Sequence, residues 1–182
     1  MSYCKFTKDL NENHLDKRYH DERYGFPTSS DNELFGRFIL EINQAGLSWS
    51  LMLKKEDNFK TAFDDFSIDK VASYKEEKVE ELMGNVGIIR NRRKIEAVIY
   101  NANKIIEFQK KYGSFSLWLD QYIDYSLSEW TKLFKKNFKF TGEKIVEEFL
   151  MSTGYMKGAH SEDCPIYNKI IKSEPKWIKD IG

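Results

Sequence analysis

The chain has two cysteines and three histidines, and all five lie towards its two ends. Cys4 and His20 stand near the start, and His160 and Cys164, spaced H-x3-C, stand near the end. One sulfur and one nitrogen from each end make a donor set for a tetrahedral zinc ion. Closing such a site releases enough free energy to staple the first segment to the last. The interval between Cys4 and His20 is loose for a ligand pair. A second reading therefore stands beside the first: two unrelated buried cysteines and ordinary histidines.

A chain of 182 residues, 41% of them apolar and 15% aromatic, can bury a core of its own as one domain of one or two lobes. Its 29 basic residues balance 29 acidic ones. That excludes a general nucleic-acid coat while leaving room for a local basic patch. Two cysteines cannot build a disulfide framework, which points to a reducing cytoplasm. The opening residues lack an apolar signal region, and no run approaches transmembrane length.

Proline is scarce and β-branched alternation rare, whereas apolar residues recur at helical spacing, so the expected fold is all-α. Leu34, Phe35, Phe38, Ile39 and Ile42 predict a helix over 31–45. Trp49, Met52, Phe59 and Phe63 predict another over 48–63. Ser73 and Glu76 have capping-box spacing for a helix reaching about Met83. Gly84 to Gly87 then break the pattern. A long helix carrying Ile95, Val98, Ala102 and Ile105 follows and closes near Gly113. One or two short helices are expected over 115–136 and another from Gly142 to Ser152. The residues after Cys164 read as a weakly structured tail.

Two segments carry chemistry. Leu82 to Arg90 reads as helix, glycine turn, helix start, with Arg90, Arg92, Arg93 and Lys94 just behind. A glycine turn lets backbone approach a phosphate, and a helix N-terminus adds N–H donors. This has the form of a helix-hairpin-helix gripping a DNA backbone, or of an ordinary turn followed by a solvated charge run. In the second segment, Glu41 falls at the edge of the apolar stripe formed by Phe38, Ile42 and Ala45, with Trp49 just beyond Gly46. A partly buried carboxylate beside an indole suits a flat cationic ligand; a solvated glutamate and a core tryptophan is the plainer alternative.

Several ordered motifs combine here: Tyr19-His20-Asp21, Leu40-Glu41 with Gln44 to Trp49, Leu53-Lys54-Lys55, Gly87 to Arg90 with Arg93-Lys94-Ile95, Phe138-Lys139-Phe140-x-Gly142, and His160-x3-Cys164-Pro165. Together they resemble bacterial 3-methyladenine DNA glycosylase I, of the helix-hairpin-helix glycosylase superfamily, from about Cys4 to Pro165. The resemblance implies a helix-hairpin-helix around 76–106, with a second lobe formed by zinc-stapled termini, 1–30 and 154–170, and a tail over 170–182. It implies a structural Zn2+ on Cys4, His20, His160 and Cys164, with no ligand role for His14. It assigns Glu41 as the catalytic and base-binding residue, ionised and hydrogen-bonded to the base, with Trp49 stacking and Tyr19 in the pocket wall. Gly87, Arg90, Arg93 and Lys94 fall to the DNA backbone.

The implied activity is flipping out and excising 3-methyladenine from alkylated double-stranded DNA by a cytoplasmic monomer. The product is an abasic site, without strand cleavage. A base that already carries positive charge has a weak glycosidic bond, so holding the flipped cation in a shielded pocket suffices. No aspartate lies between Lys70 and Leu119 to act after the hairpin. The chain departs from the family pattern at Asp16, where a second pocket tyrosine is usual, at Phe6 and Tyr24, and in a shortened 114–137 segment expected near pocket and DNA. These departures support two rivals: a non-catalytic zinc-stapled DNA-binding protein, and a glycosylase with shifted alkylbase preference.

Overall fold

The structure, a computed structural model, describes residues 2–178. Eleven α-helices and one 3-10 turn occupy the described residues, with no strand among them. In chain order they are α1 (Tyr3–Thr7), α2 (Leu15–Glu22), α3 (Asp31–Gln44), α4 (Trp49–Ala62), α5 (Ile68–Ala72), α6 (Glu76–Gly84), α7 (Arg92–Tyr112), α8 (Phe115–Asp120), α9 (Leu127–Asn137), α10 (Glu143–Ser152) and α11 (Tyr167–Lys172). The 3-10 turn, Asp64–Phe66, joins α4 to α5.

Helix α3 organises the rest. Ser30 caps its N-terminus, accepting the Glu33 N–H. Ten consecutive residues, Leu34 to Asn43, are then buried, so α3 is enclosed on every side by α4, α7, α8, α10 and the 3-10 turn. Phe38 sits among Phe134, Phe138 and Phe149 with ring centroids 5.2–5.7 Å apart. Gly36 faces Phe66 so closely that a β-carbon there would lie 2.4 Å from the ring, which is why the position tolerates no side chain.

The hairpin segment is helix, turn, helix. Helix α6 ends at Gly84, and Asn91 caps α7 by accepting the Lys94 N–H at 3.2 Å. The Gly87 N–H donates to Asn85 Oδ1 at 2.8 Å, and a β-carbon at Gly87 would press on Asn58 of α4. The turn is therefore built against α4, and Lys55 of α4 donates to the carbonyls of Val86 and Gly87.

Two local expectations are corrected. Ser73 does not cap α6. Its hydroxyl donates to the Lys70 carbonyl at the end of α5, and Lys75 takes the N-cap position without a side-chain bond. The segment after Cys164 is not weakly structured as far as it is described. It forms α11, with Ile166 and Ile170 buried beside Cys164 and Trp177 packed on them, and Lys176 pairs with Asp120 at 2.8 Å. Residues 179–182 of that expected tail lie outside the described residues. No helix among the described residues is long and apolar enough to cross a membrane.

Candidate functional site

Helix α2 carries two adjacent residues with different duties. Tyr19 and His20 are both buried, Tyr19 towards a cavity and His20 towards the cysteines.

On the His20 side, Cys4, His20, His160 and Cys164 bring one ligand atom each to within 4.8 Å of one another. Cys4 Sγ is 3.8 Å and Cys164 Sγ 3.5 Å from His160 Nδ1, and Cys164 Sγ is 3.7 Å from His20 Nε2. A tetrahedral ion with metal–sulfur bonds of about 2.3 Å and metal–nitrogen bonds of about 2.0–2.1 Å needs S···N separations of about 3.6 Å. The outer ring nitrogens are occupied: His20 Nδ1 is 2.6 Å from Asp21 Oδ1, and His160 Nε2 is 2.7 Å from the Tyr24 carbonyl. Those bonds leave the facing nitrogens as lone-pair donors. Burial holds the His160 imidazole down to about 4, in the neutral form a metal requires. The four residues fit a closed metal site. His14, by contrast, caps α2 by accepting the Asp16 N–H.

On the Tyr19 side, a cavity of about 600 Å³ is lined by Tyr3, Tyr19, Tyr24, Glu41, Gln44, Trp49, Lys144 and Glu148, and reaches to the Cys4 and His160 edge of the four-residue cluster. Its size is that of a small-molecule site. The Tyr19 and Trp49 rings stand 5.1 Å apart, tilted by 50°. The Trp49 Nε1 is buried without a protein partner. Arg37, buried behind the wall, donates to the Tyr19 hydroxyl at 3.3 Å.

Glu41 is 4% exposed and accepts no hydrogen bond among the described residues. The apolar stripe placed it at an edge, but an enclosed helix has no solvent edge. Burial, reinforced by the Glu148 charge and opposed by Arg37 and Lys144, pushes its carboxyl up to about 8. At neutral pH the carboxyl therefore favours its protonated form. A cation entering beside it would reverse that balance.

Sequence reading assigned no pocket role to the wall residues Tyr3, Tyr24 and Glu148. Tyr3 arrives on α1, a five-residue helix too short to show periodicity. Its hydroxyl donates to Asp16 Oδ1 at 3.0 Å, so Asp16 is buried behind the wall and Tyr3 stands in the cavity. Tyr24 bridges the two sites: its carbonyl accepts from His160, and its hydroxyl donates to Glu148 at 3.1 Å. Glu148 stands in a charged stretch with Glu143, Lys144 and Glu147, which carries no motif signal. No residue of 114–137 lines the cavity, so the shortened segment does not touch it.

The residues expected at DNA divide. Arg90 and Arg93 are exposed and make no ion pair among the described residues. Arg92 is engaged by Glu76, Glu80 and Glu96. Lys94 is corrected: it is 6% exposed, and its Nζ donates to the carbonyls of Asn43 and Ala45 at the end of α3, at 2.9 and 3.1 Å. A side chain capping an inner helix end is unavailable to phosphate. The Gly87 N–H is likewise occupied by Asn85, which leaves close backbone approach as the glycine's contribution.

The model of the Methyladenine glycosylase family matches residues 9–132. The DNA-3-methyladenine glycosylase 1 of Escherichia coli (strain K12) is 33% identical over 168 residues, covering 82% of this chain and 89% of that protein. The DNA-3-methyladenine glycosylase of Haemophilus influenzae is 31% identical over 166 residues, covering 81% and 89%. Among solved structures, a variant of 3-methyladenine DNA glycosylase I in complex with 3-methyladenine superposes with a TM-score of 0.81 at 31% identity, covering 91% of this chain and 97% of that one. The structure describing 3-methyladenine recognition by the Staphylococcus aureus enzyme gives a TM-score of 0.78 at 31% identity, covering 86% and 93%.

Proposed function

The chain belongs to the methyladenine glycosylase family, and from that premise we propose that it excises 3-methyladenine from alkylated DNA by hydrolysing the N-glycosyl bond, leaving an abasic site. The observation that carries this reading is an aromatic-walled cavity with a buried, unpaired carboxylate at Glu41.

Flipping delivers the cationic nucleotide into the cavity. Trp49 and Tyr19 offer ring faces to its charge, and Tyr3 and Tyr24 close the wall around it. Glu41 loses its proton to solvent as the cation enters and, ionised, accepts hydrogen bonds from the base edge. Bulk water is kept out while the C1'–N9 bond breaks, its electron pair leaves with the base, which departs neutral, and one water molecule adds to the sugar C1' and loses a proton to give the abasic site. Cleaving the sugar–base bond needs no amine nucleophile, so no strand scission accompanies it.

The partner in this reading is double-stranded alkylated DNA, bound by a cytoplasmic monomer whose 1–182 chain acts as one unit. The hairpin acts as a helix-hairpin-helix, with Gly87 at the turn and Arg90 and Arg93 paired with phosphates. Support comes from the backbone N–H groups of Ile89 and Arg90, which have no partner among the described residues. The metal held by Cys4, His20, His160 and Cys164 is a structural Zn2+. It supplies rigidity, since four protein ligands leave no open position.

The rival is a zinc-stapled protein that binds DNA without excision. Incubation with methylated duplex DNA separates them. Release of free 3-methyladenine with alkali-labile abasic sites supports the glycosylase, and binding without release supports the rival.

A further inference from the structure

The cavity holds a second carboxylate that the mechanism above leaves unused. Glu148 lies on α10, whose Val146, Phe149 and Leu150 are buried in the core, so its side chain emerges at the flank facing the cavity. Two donors fix it: the Tyr24 hydroxyl at 3.1 Å from Oε2 and Lys144 Nζ at 2.9 Å from Oε1. Neither neutralises the site well. Tyr24 is uncharged. Lys144 is 75% exposed, shares its charge with Glu147 at 3.1 Å, and stands N-terminal to Glu148, the weaker order for a helical i,i+4 pair. The pair therefore contributes little to helix stability, while two donors hold the carboxylate at the cavity wall. Its charge also reaches Glu41, helping to keep that group protonated.

We propose that Glu148 is a second anionic wall of the base pocket, one that selects a fully cationic base over a neutral one. The inference rests on the glycosylase reading of the same cavity. Both members of the comparison follow from its chemistry: a 3-methyladenine still attached at N9 is a permanent cation, and the released base is neutral. Holding the first more tightly than the second favours capture of the damaged nucleotide and escape of the product.

The test measures binding of two probes by calorimetry, a 3,9-dimethyladeninium salt and free 3-methyladenine, to intact zinc-loaded protein. Removing Glu148 from wild type also eases ionisation of Glu41, so the decisive pair is Glu41→Gln against Glu41→Gln/Glu148→Gln. In the Glu41→Gln background a preference for the cation should persist. It should fall about tenfold when Glu148→Gln is added, the size of one charge contact. Glu143→Gln, which removes an exposed carboxylate of the same helix that lies outside the wall, should leave the preference unchanged; circular dichroism checks that each variant folds. Equal preference in the single and double variants, or loss of all cation binding in Glu41→Gln alone, overturns the role of Glu148 and leaves the glycosylase reading intact. Binding of neither probe by wild type overturns both.

Discussion

Lys94 Nζ reaches across from the first turn of α7 to the carbonyl of Asn43, 2.9 Å away in the last turn of α3. The contact ties the hairpin to the helix that carries Glu41, and a cation at a helix C-terminus is favoured by the helix dipole. Lys94→Met should leave two helix-end carbonyls without their donor and cost about 1–3 kcal/mol, measured by urea unfolding. The salt dependence of DNA binding should not change; a slope reduced by about one unit would return Lys94 to the phosphate contacts.

Arg90 and Arg93 should behave in the opposite way. Each alanine substitution should weaken binding to damaged and undamaged duplex alike and lower the log–log salt slope by about 0.9. Stability should barely move, because both side chains are exposed. A loss confined to methylated DNA would contradict a backbone role.

Metal analysis should find one zinc per chain. Cys164→Ser should release it and lower stability by several kcal/mol. Because Tyr24 bonds both His160 and Glu148, loss of metal should also loosen the cavity wall and weaken binding of free base. Metal-free purified protein of undiminished stability would exclude the staple.

Glu41 makes stability and binding depend on pH in opposite senses. Its carboxyl is raised from an ordinary 4.5 to about 8 in the folded protein. A raised group contributes stability that is fully present below 4.5 and is lost as pH climbs through about 8. Wild type should therefore lose melting temperature over that window, and Glu41→Gln should lose less, becoming the more stable of the two at pH 8. Affinity for a cationic base should rise across the same window as the competing proton leaves. At pH 8, Glu41→Gln should bind the cation about ten- to a hundredfold more weakly. Melting curves of wild type and variant that stay parallel from pH 5 to pH 8 would refute the shift.

The Tyr3–Asp16 bond makes a smaller prediction. Tyr3→Phe keeps the ring and drops the hydroxyl, so base affinity should change by less than about threefold, whereas Tyr3→Ala should cost about tenfold. Zinc content, set by the neighbouring Cys4, should be equal in both. Equal base affinity in Tyr3→Ala and wild type would remove Tyr3 from the wall.

Local pattern made much of this legible. The apolar spacing of Leu34 to Ile42 and of Ile95 to Ile105 marks α3 and α7 because each stripe repeats at the period of the helix itself. The H-x3-C spacing of His160 and Cys164 brings their donors to 3.5 Å within one short segment. Glu41 and Trp49 could be paired because one turn of chain separates them.

Enclosure was not legible. The same stripe that marks α3 placed Glu41 at an edge, and only packing by α4, α7, α8 and α10 closes that edge and raises its carboxyl. Lys94 belongs to a basic run by sequence and to α3 by contact. Tyr3, Tyr24 and Glu148 meet in one cavity from positions far apart in the chain. A one-dimensional pattern records a residue's period and its immediate neighbours, and so the sequence by itself determined the longer helices, the donor set and the family. Burial, partner and protonation state depend on what other segments place alongside, and for Glu41, Lys94 and Glu148 tertiary structure alone decided them.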